Sequence, residues 1–189
     1  MDFVNPPYAF VLFDGWLAPR LFRSFYGRYA ASIELTGSET VLEFGCGSGG
    51  VAERLAPKLP NGSLTCIDIS PPMIQIAEQR LQSYANAHCR IGRIEDLEIP
   101  DAAYDVVVIH NALHDVSSED RPATVRELAR VLRPGGQLVL REPTKPTHGM
   151  PADAYRELLS DAGLREIRSH ESKVFPMGSS FEGVFVKPV

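Results

Sequence analysis

Residues Thr40–Gly50, T-V-L-E-F-G-C-G-S-G-G, form the stretch that decides the fold. Val41, Leu42 and Phe44 make a short apolar run of the kind that forms a buried strand. Gly45, Gly47, Gly49 and Gly50 then stop it. Glycine has no Cβ, so a loop of this composition can turn tightly and bring its backbone against a ligand. Val51, Leu55 and Leu59 recur at helical spacing, so residues 51–59 read as a helix. Strand, glycine loop and helix N-terminus make a cradle whose first N–H groups favour a polar or anionic group. Gly45, Gly47 and Gly50 fit the G-x-G-x-x-G spacing of a dinucleotide site. Gly45, Gly47 and Gly49 fit G-x-G-x-G equally well. Glu43 separates the two readings, because a carboxylate beside the loop repels a pyrophosphate and suits a ligand that carries an ammonium group.

Outward from the loop, strands and helices alternate. Residues 63–68, S-L-T-C-I-D, read as a second strand ending in Asp68, and an acid about 20 residues after such a loop can accept hydrogen bonds from ribose hydroxyls. Ser70 and Pro71 suit the start of a helix over 73–84. Residues 88–93 read as a third strand. Tyr104–Ile109 is β-branched throughout most of its length, as in a strand covered on both faces of a parallel sheet. His110, Asn111, His114 and Asp115 follow it directly, at the carboxyl end where open parallel sheets bind ligands. A helix over 118–132, a turn at L-R-P-G-G, a fifth strand over 137–142, a proline-rich loop over 143–151 and a helix over 152–162 come next. Residues 164–170 and 181–187 read as two strands with no helix between them, which must pair antiparallel.

Ahead of the glycine loop, residues 8–17 are rich in aromatics and are broken by Asp14 and Gly15. Pro19 opens a helix whose apolar face holds Leu21, Phe22, Phe25, Tyr26, Tyr29 and Ile33, with Arg20, Arg23 and Arg28 largely off that face. Packing on the sheet explains such a face. A lid, or a contact with an apolar or anionic partner, is the functional alternative.

Four blocks in order, V-L-E-F-G-C-G-S-G, D-I-S-P-P-M, D-V-V-V-I-H-N-A-L-H-D-V and L-R-P-G-G-Q-L-V-L, resemble the class I S-adenosylmethionine-dependent methyltransferases. The resemblance runs from Thr40 to Val189, about four fifths of the chain. It implies an α/β, Rossmann-like, seven-stranded and mostly parallel sheet of order 3-2-1-4-5-7-6, with a C-terminal antiparallel hairpin and an added N-terminal helix. Residues 1–189 then form one domain, with 1–37 as a helical lid segment and 38–189 as the S-adenosylmethionine-binding core. Glu43, Gly45, Cys46 and Gly47 would line the cofactor, Asp68 would hold its ribose, and Ile69 and Met73 would flank the adenine. His110 and Asn111 would complete that set. Where the family often reads G-D-A-E-D-L, this chain has G-R-I-E-D-L. Arg93 therefore stands where an acid usually contacts the adenine amino group, and the Ile94 backbone or the Glu95 side chain is left to replace it.

The activity implied is methyl transfer from S-adenosylmethionine to a small-molecule or lipid-like acceptor. His110, His114 and Asp115 are the candidates for a general base, which is needed only when the acceptor must lose a proton. A non-catalytic S-adenosylmethionine-binding protein and a nicotinamide-dependent oxidoreductase are the alternatives. Asn5-Pro6-Pro7-Tyr8 spells the N-P-P-Y signature of methyltransferases acting on amide and amine nitrogens. That signature follows a fourth strand, whereas here it opens the chain, so it reads as coincidence.

Bulk properties agree with one globular domain. A chain of 189 residues can bury about 70% of its unfolded surface without disulfides or metals. A net charge of −5 and a pI near 5.5 argue against a nucleic-acid partner, which usually calls for a basic stripe. Cys46, Cys66 and Cys89 are distant in sequence and form no C-x-x-C pair. They read as small core residues in a reducing compartment, with only Cys46 near the crevice, and no metal set is spaced convincingly. No apolar run approaches the roughly 18–20 residues that span a bilayer, so no stable membrane insertion is expected. M-D-F-V-N lacks a basic n-region, which makes the cytoplasm the expected location. The residues do not name an oligomeric state.

Overall fold

The computed structural model describes residues 2–145 and 148–189, and the chain divides into two compact units, residues 1–93 and 94–189. The strand order is 3-2-1-4-5-7-6, as expected, with parallel strands followed by an antiparallel C-terminal pair, which makes the fold α/β and Rossmann-like.

The first unit begins with a helical run, Tyr8–Leu21, followed after a break at Phe22 by α1 (Arg23–Ser32). Asp14 and Gly15 do not interrupt this run, as the sequence led us to expect. They lie inside a π-helical stretch, Val11–Leu17, where Gly15 is buried against Ile76: a Cβ there would lie 2.5 Å from Ile76 Cδ1, which would have to move. Phe25, Tyr29 and Ile33 are buried as expected, with Ala30 beside them, but Leu21 is 61% exposed. The C-terminal carbonyls of α1 are held by Lys58, whose Nζ donates to Ala30 O (2.8 Å) and Ile33 O (2.6 Å), a cation where a helix end is negative.

Thr40–Phe44 is β1, Ala52–Leu55 is α2, Ser63–Asp68 is β2, Pro71–Leu81 is α3 and Ala87–Ile91 is β3. The helix expected over 51–59 is only one turn of α-helix, continued by a 3₁₀ turn over Ala56–Lys58. Pro57 explains the change, since its missing N–H cannot extend an α ladder. β1, β2 and β3 are parallel, and their register aligns Glu43 with Cys66 and Cys66 with Cys89.

The second unit holds β4 (Tyr104–His110), α4 (Arg121–Val131), β5 (Leu132–Lys145), α5 (Ala152–Asp161), β6 (Arg165–Val174) and β7 (Gly178–Val186). β4 runs parallel to β5, β5 antiparallel to β7, and β7 antiparallel to β6. The L-R-P-G-G turn is a bulge at the start of β5. Pairing jumps from Tyr104–Leu132 to Val106–Gln137, and Gly135 takes φ +78°. β5 also runs farther than residues 137–142. Pro143, expected in a loop, pairs with Ser180 of β7. Pairing with β4 ends at His110–Arg141, so no β4 partner requires the N–H that Pro143 lacks. A two-residue strand, His148–Gly149, pairs with Thr144 and Lys145, while residues 146 and 147 of the expected loop lie outside the described residues. The terminal strands exceed their expected lengths and leave residues 175–177 as the turn. Among the described residues, no helix is long and apolar enough to cross a membrane.

The core of the second unit centres on Phe181, fully buried, with its ring stacked on Tyr155 at a centroid distance of 5.8 Å and tilted by 56° against Phe185 at 6.5 Å. Phe181→Ala is expected to destabilise the protein by about 3–5 kcal/mol in urea unfolding. A loss under about 1 kcal/mol would mean the surrounding side chains close the space.

Candidate functional site

In the first unit the chain folds back on its own glycine loop. Gly45 and Gly47 take φ +65° and +52°, a region that side chains rarely adopt, which lets the backbone turn directly after β1. Gly47 donates its N–H to Asp68 Oδ2 (2.8 Å), and Ser70 donates to Asp68 Oδ1 (2.9 Å). Cys46 donates to the Ile67 carbonyl (3.0 Å). The loop is thus pinned to the end of β2, and Asp68 is fixed beside it. Burial holds the Asp68 carboxyl above its usual range despite these hydrogen bonds.

Glu43 is 2% exposed, and its Oε2 makes no hydrogen bond among the described residues. Burial, with smaller contributions from Cys89 and Asp68, pushes its pKa up to about 8. A buried carboxylate without a partner is costly unless it is protonated or meets a cation. This geometry fits a ligand ammonium, which is the cofactor feature the sequence pointed to. The third glycine of the dinucleotide spacing has a different use. A Cβ on Gly50 would stand 3.0 Å from Tyr26 Cε1, so that position is taken by an aromatic ring and not kept for a phosphate.

Met73 is buried, with its Cε 3.8 Å from where a Gly47 Cβ would be, so it backs the loop. Ile69 is 37% exposed. Arg93 is exposed at the end of the unit. The three cysteines, far apart in sequence, form a row, with Cys66 hydrogen-bonded to both Cys46 and Cys89. Parallel pairing sets Cys66 level with Glu43 and Cys89 level with Cys66, which the distant sequence positions do not suggest. The hydrogen bond from Cys66 acts to lower the Cys46 pKa, but burial and the Asp68 and Glu43 charges push it up to about 12. These thiols stay protonated and are poor nucleophiles. Among the described residues no group of His, Cys, Asp and Glu is arranged to hold a metal.

In the second unit Ile94 is buried in a 3₁₀ turn, and Glu95 accepts a hydrogen bond from Thr124 Oγ1 (2.6 Å) in the first turn of α4. His110 ends β4. Burial, aided by the Arg141 charge, lowers its pKa to about 3, so its ring is neutral. Asn111 follows with φ +55° and donates its N–H to the Arg141 carbonyl (2.9 Å), while its Oδ1 is buried without a hydrogen bond among the described residues.

Glu142, which the sequence reading passed over, organises the turn after β4. Its carboxylate is fully buried. Oε1 accepts N–H groups from Ala112 (2.8 Å) and Leu113 (3.0 Å), and Oε2 accepts from the His114 N–H (3.1 Å) and pairs with His114 Nδ1 (2.7 Å). From the other side Arg121 donates to the carbonyls of Leu113 (3.1 Å), His114 (3.0 Å) and Val116 (2.7 Å). His114 Nε2 lies 3.3 Å from Asp115 Oδ1. Burial acts to lower the His114 pKa, but the Glu142 hydrogen bond and the Glu142 and Asp115 charges outweigh it and raise it. The signal for Glu142 was an acid at the carboxyl end of an apolar strand, L-V-L-R-E.

The fold and the glycine cradle define a methyltransferase domain. The chain belongs to the class I S-adenosylmethionine-dependent methyltransferases, and the family model described as a methyltransferase domain matches residues 41–136. It is 32% identical over 131 residues, 66% of this chain and 51% of the relative, to a ubiquinone/menaquinone biosynthesis C-methyltransferase, UbiE, of Hydrogenovibrio crunogenus. It is 38% identical over 103 residues, 52% of this chain and 37% of the relative, to a malonyl-[acyl-carrier protein] O-methyltransferase of a Paenibacillus species. The chain thus spans about half the length of the curated relatives it matches. In structure it is similar to the N-methyltransferase NodS of Bradyrhizobium japonicum, solved with S-adenosyl-L-homocysteine, with a TM-score of 0.75 over 99% of this chain and 95% of that one. At 20% identity that likeness speaks for the fold alone. Membership in this family replaces the nicotinamide-dependent alternative.

Because the folded-state pKa of His114 is raised, its pairing contributes stability that is fully present below about pH 6.5 and is lost as pH rises through the folded value. In Glu142→Gln the His114 ring should titrate at lower pH by NMR, that loss with rising pH should shrink, and overall stability should fall by about 3 kcal/mol. A His114 titration that does not move would rule out Glu142 as the cause of the shift.

Proposed function

We propose that this chain transfers a methyl group from S-adenosylmethionine to a small-molecule or lipid-like acceptor. The observation that carries the reading is Glu43, a buried carboxylate with an unbonded oxygen beside a glycine loop. In this reading Glu43 meets the amino group of the cofactor, Asp68 takes the ribose hydroxyls, and Gly45, Cys46 and Gly47 give backbone contact. Ile69 and Met73 give the apolar wall. When bound, S-adenosylmethionine supplies an electrophilic methyl group on a sulfonium. The chain's own contribution is to hold donor and acceptor in line and to exclude water.

His114 and Asp115 are the proton-handling pair. Glu142 orients His114 and favours its charged form, and the Asp115 carboxylate beside it can accept a proton from an acceptor that must lose one. His110, whose pKa burial and the Arg141 charge lower to about 3, is a weak base and serves as wall. Residues 1–37 are the segment that borders the loop. Ser48 Oγ donates to Asp14 O (3.2 Å), and Arg80 bridges Ser48 O and Gly15 O, each at 2.8 Å. The acceptor class draws support from the named relatives, one in ubiquinone and menaquinone biosynthesis and one for malonyl-[acyl-carrier protein].

Thermal unfolding with S-adenosylmethionine, S-adenosylhomocysteine and NAD tests the cofactor. A ligand at a hundred times its Kd adds about 2.7 kcal/mol, or roughly 5–10 °C in Tm for a chain of this size. Shifts are expected with the two sulfur ligands and not with NAD, and Asp68→Ala should lose them. Methyl transfer from labelled donor should then reach small molecules, and Asp115→Asn should slow it without changing the S-adenosylhomocysteine shift. No shift with either sulfur ligand would sink the cofactor reading, and label found only in RNA or protein would sink the acceptor reading.

A further inference from the structure

The helical run Tyr8–Leu21 has two faces of different character. One is spent on the first unit, where Gly15, Ala18 and Pro19 are buried and Arg80 and Ser48 hydrogen-bond to its backbone. The other presents Tyr8 (76% exposed), Leu12 (45%), Phe13 (49%), Trp16 (38%), Leu17 (48%) and Leu21 (61%). The Ala18 N–H reaches back five residues to Phe13 O, and Leu12 and Trp16, Phe13 and Leu17, and Leu17 and Leu21 each stand about one turn apart along the run. Single exposed apolar residues are ordinary, but a contiguous stripe marks a surface that something covers.

The charges around the stripe say what kind of surface that is. From Tyr8 to Ile33 the chain carries Arg20, Arg23 and Arg28 against one acid, Asp14, although its net charge is −5. All three arginines are exposed. The Arg20 guanidinium lies 5.5 Å from the centre of the Trp16 ring and also donates to the Trp16 carbonyl (3.0 Å). Aromatic and aliphatic side chains on one face with arginines at its border are the composition of a helix that lies in a lipid–water interface. A second copy fits less well, because a two-fold contact through this face would set each arginine group against its own image.

We propose that Tyr8–Arg23 is a docking face for the surface of an anionic lipid bilayer. Docking is reversible and in the plane of the interface. The apolar stripe enters the boundary between headgroups and acyl chains, and Arg20 and Arg23 meet lipid phosphates. The inference is independent of the acceptor and of catalysis.

Trp16 is the only tryptophan in the chain, so its fluorescence reports on this face directly. The 189-residue protein is titrated with vesicles of phosphatidylcholine, with and without phosphatidylglycerol. We expect a blue shift of Trp16 with the anionic vesicles, weakened by added salt, and little with phosphatidylcholine alone. Arg20→Gln/Arg23→Gln should weaken vesicle binding by roughly thirtyfold, the factor for two cations removed from such a surface. Phe13→Ser/Leu17→Ser should abolish the shift while the protein stays folded with a Tm lowered by only a few degrees, because about half of each side chain is already exposed. No shift with anionic vesicles at low salt would overturn the proposal. So would equal binding to neutral vesicles that is indifferent to the arginines, a lipid-free shift that grows with protein concentration and with dimer in ultracentrifugation, or a shift produced only by S-adenosylhomocysteine, which would make the stripe a cover for the chain's own ligand.

Discussion

A carboxylate sealed at the end of β1 without a counter-charge sets the terms for the first unit. Three parallel strands bury Glu43 beside a row of protonated thiols, none of which can neutralise it. The glycine loop is shaped around the same point. Gly45 and Gly47 turn the chain at positive φ, and Asp68 captures the Gly47 N–H, so the loop cannot swing in to give Glu43 a backbone partner. An uncompensated buried acid is a cost to the folded protein. The fold carries that cost at the place where a cationic ligand would relieve it.

The second unit treats a buried carboxylate in the opposite way. Glu142 is as inaccessible as Glu43, yet three backbone N–H groups and an imidazole satisfy it, and Arg121 ties down the carbonyls of the same turn. A saturated acid of this kind is scaffold. It fixes the Ala112–Asp115 turn and favours the charged form of His114 beside Asp115. The contrast between an acid left open and an acid fully used separates a group kept for a ligand from one that organises the chain.

Much of this was legible in the sequence, and the misses have definite causes. Short apolar and β-branched runs marked the strands, and the resemblance to the methyltransferases supplied their order in the sheet. The spacing from the glycines to Asp68 placed both at one end of neighbouring strands, and the loop does bond to that aspartate. Helix extents were less readable. Pro57 cut one helix short, while Gly15 sat within a π-helical turn instead of breaking it, packed closely on Ile76. Glu142 was overlooked because its role comes from a turn about 30 residues earlier, a pairing no local pattern encodes. The cysteine row was hidden in the same way, since strand register and not sequence spacing brings the thiols together.

The account stands most directly on the protonation of Glu43. Titration calorimetry of S-adenosylhomocysteine near pH 7, repeated in buffers of different ionisation enthalpy, counts the protons exchanged on binding. With the Glu43 pKa near 8 in the free protein, the side chain is mostly protonated at that pH and must ionise to meet an ammonium. The account predicts release of close to one proton, and loss of that release together with weaker binding in Glu43→Gln. Binding with no proton release, and with equal affinity in Glu43→Gln, would contradict it.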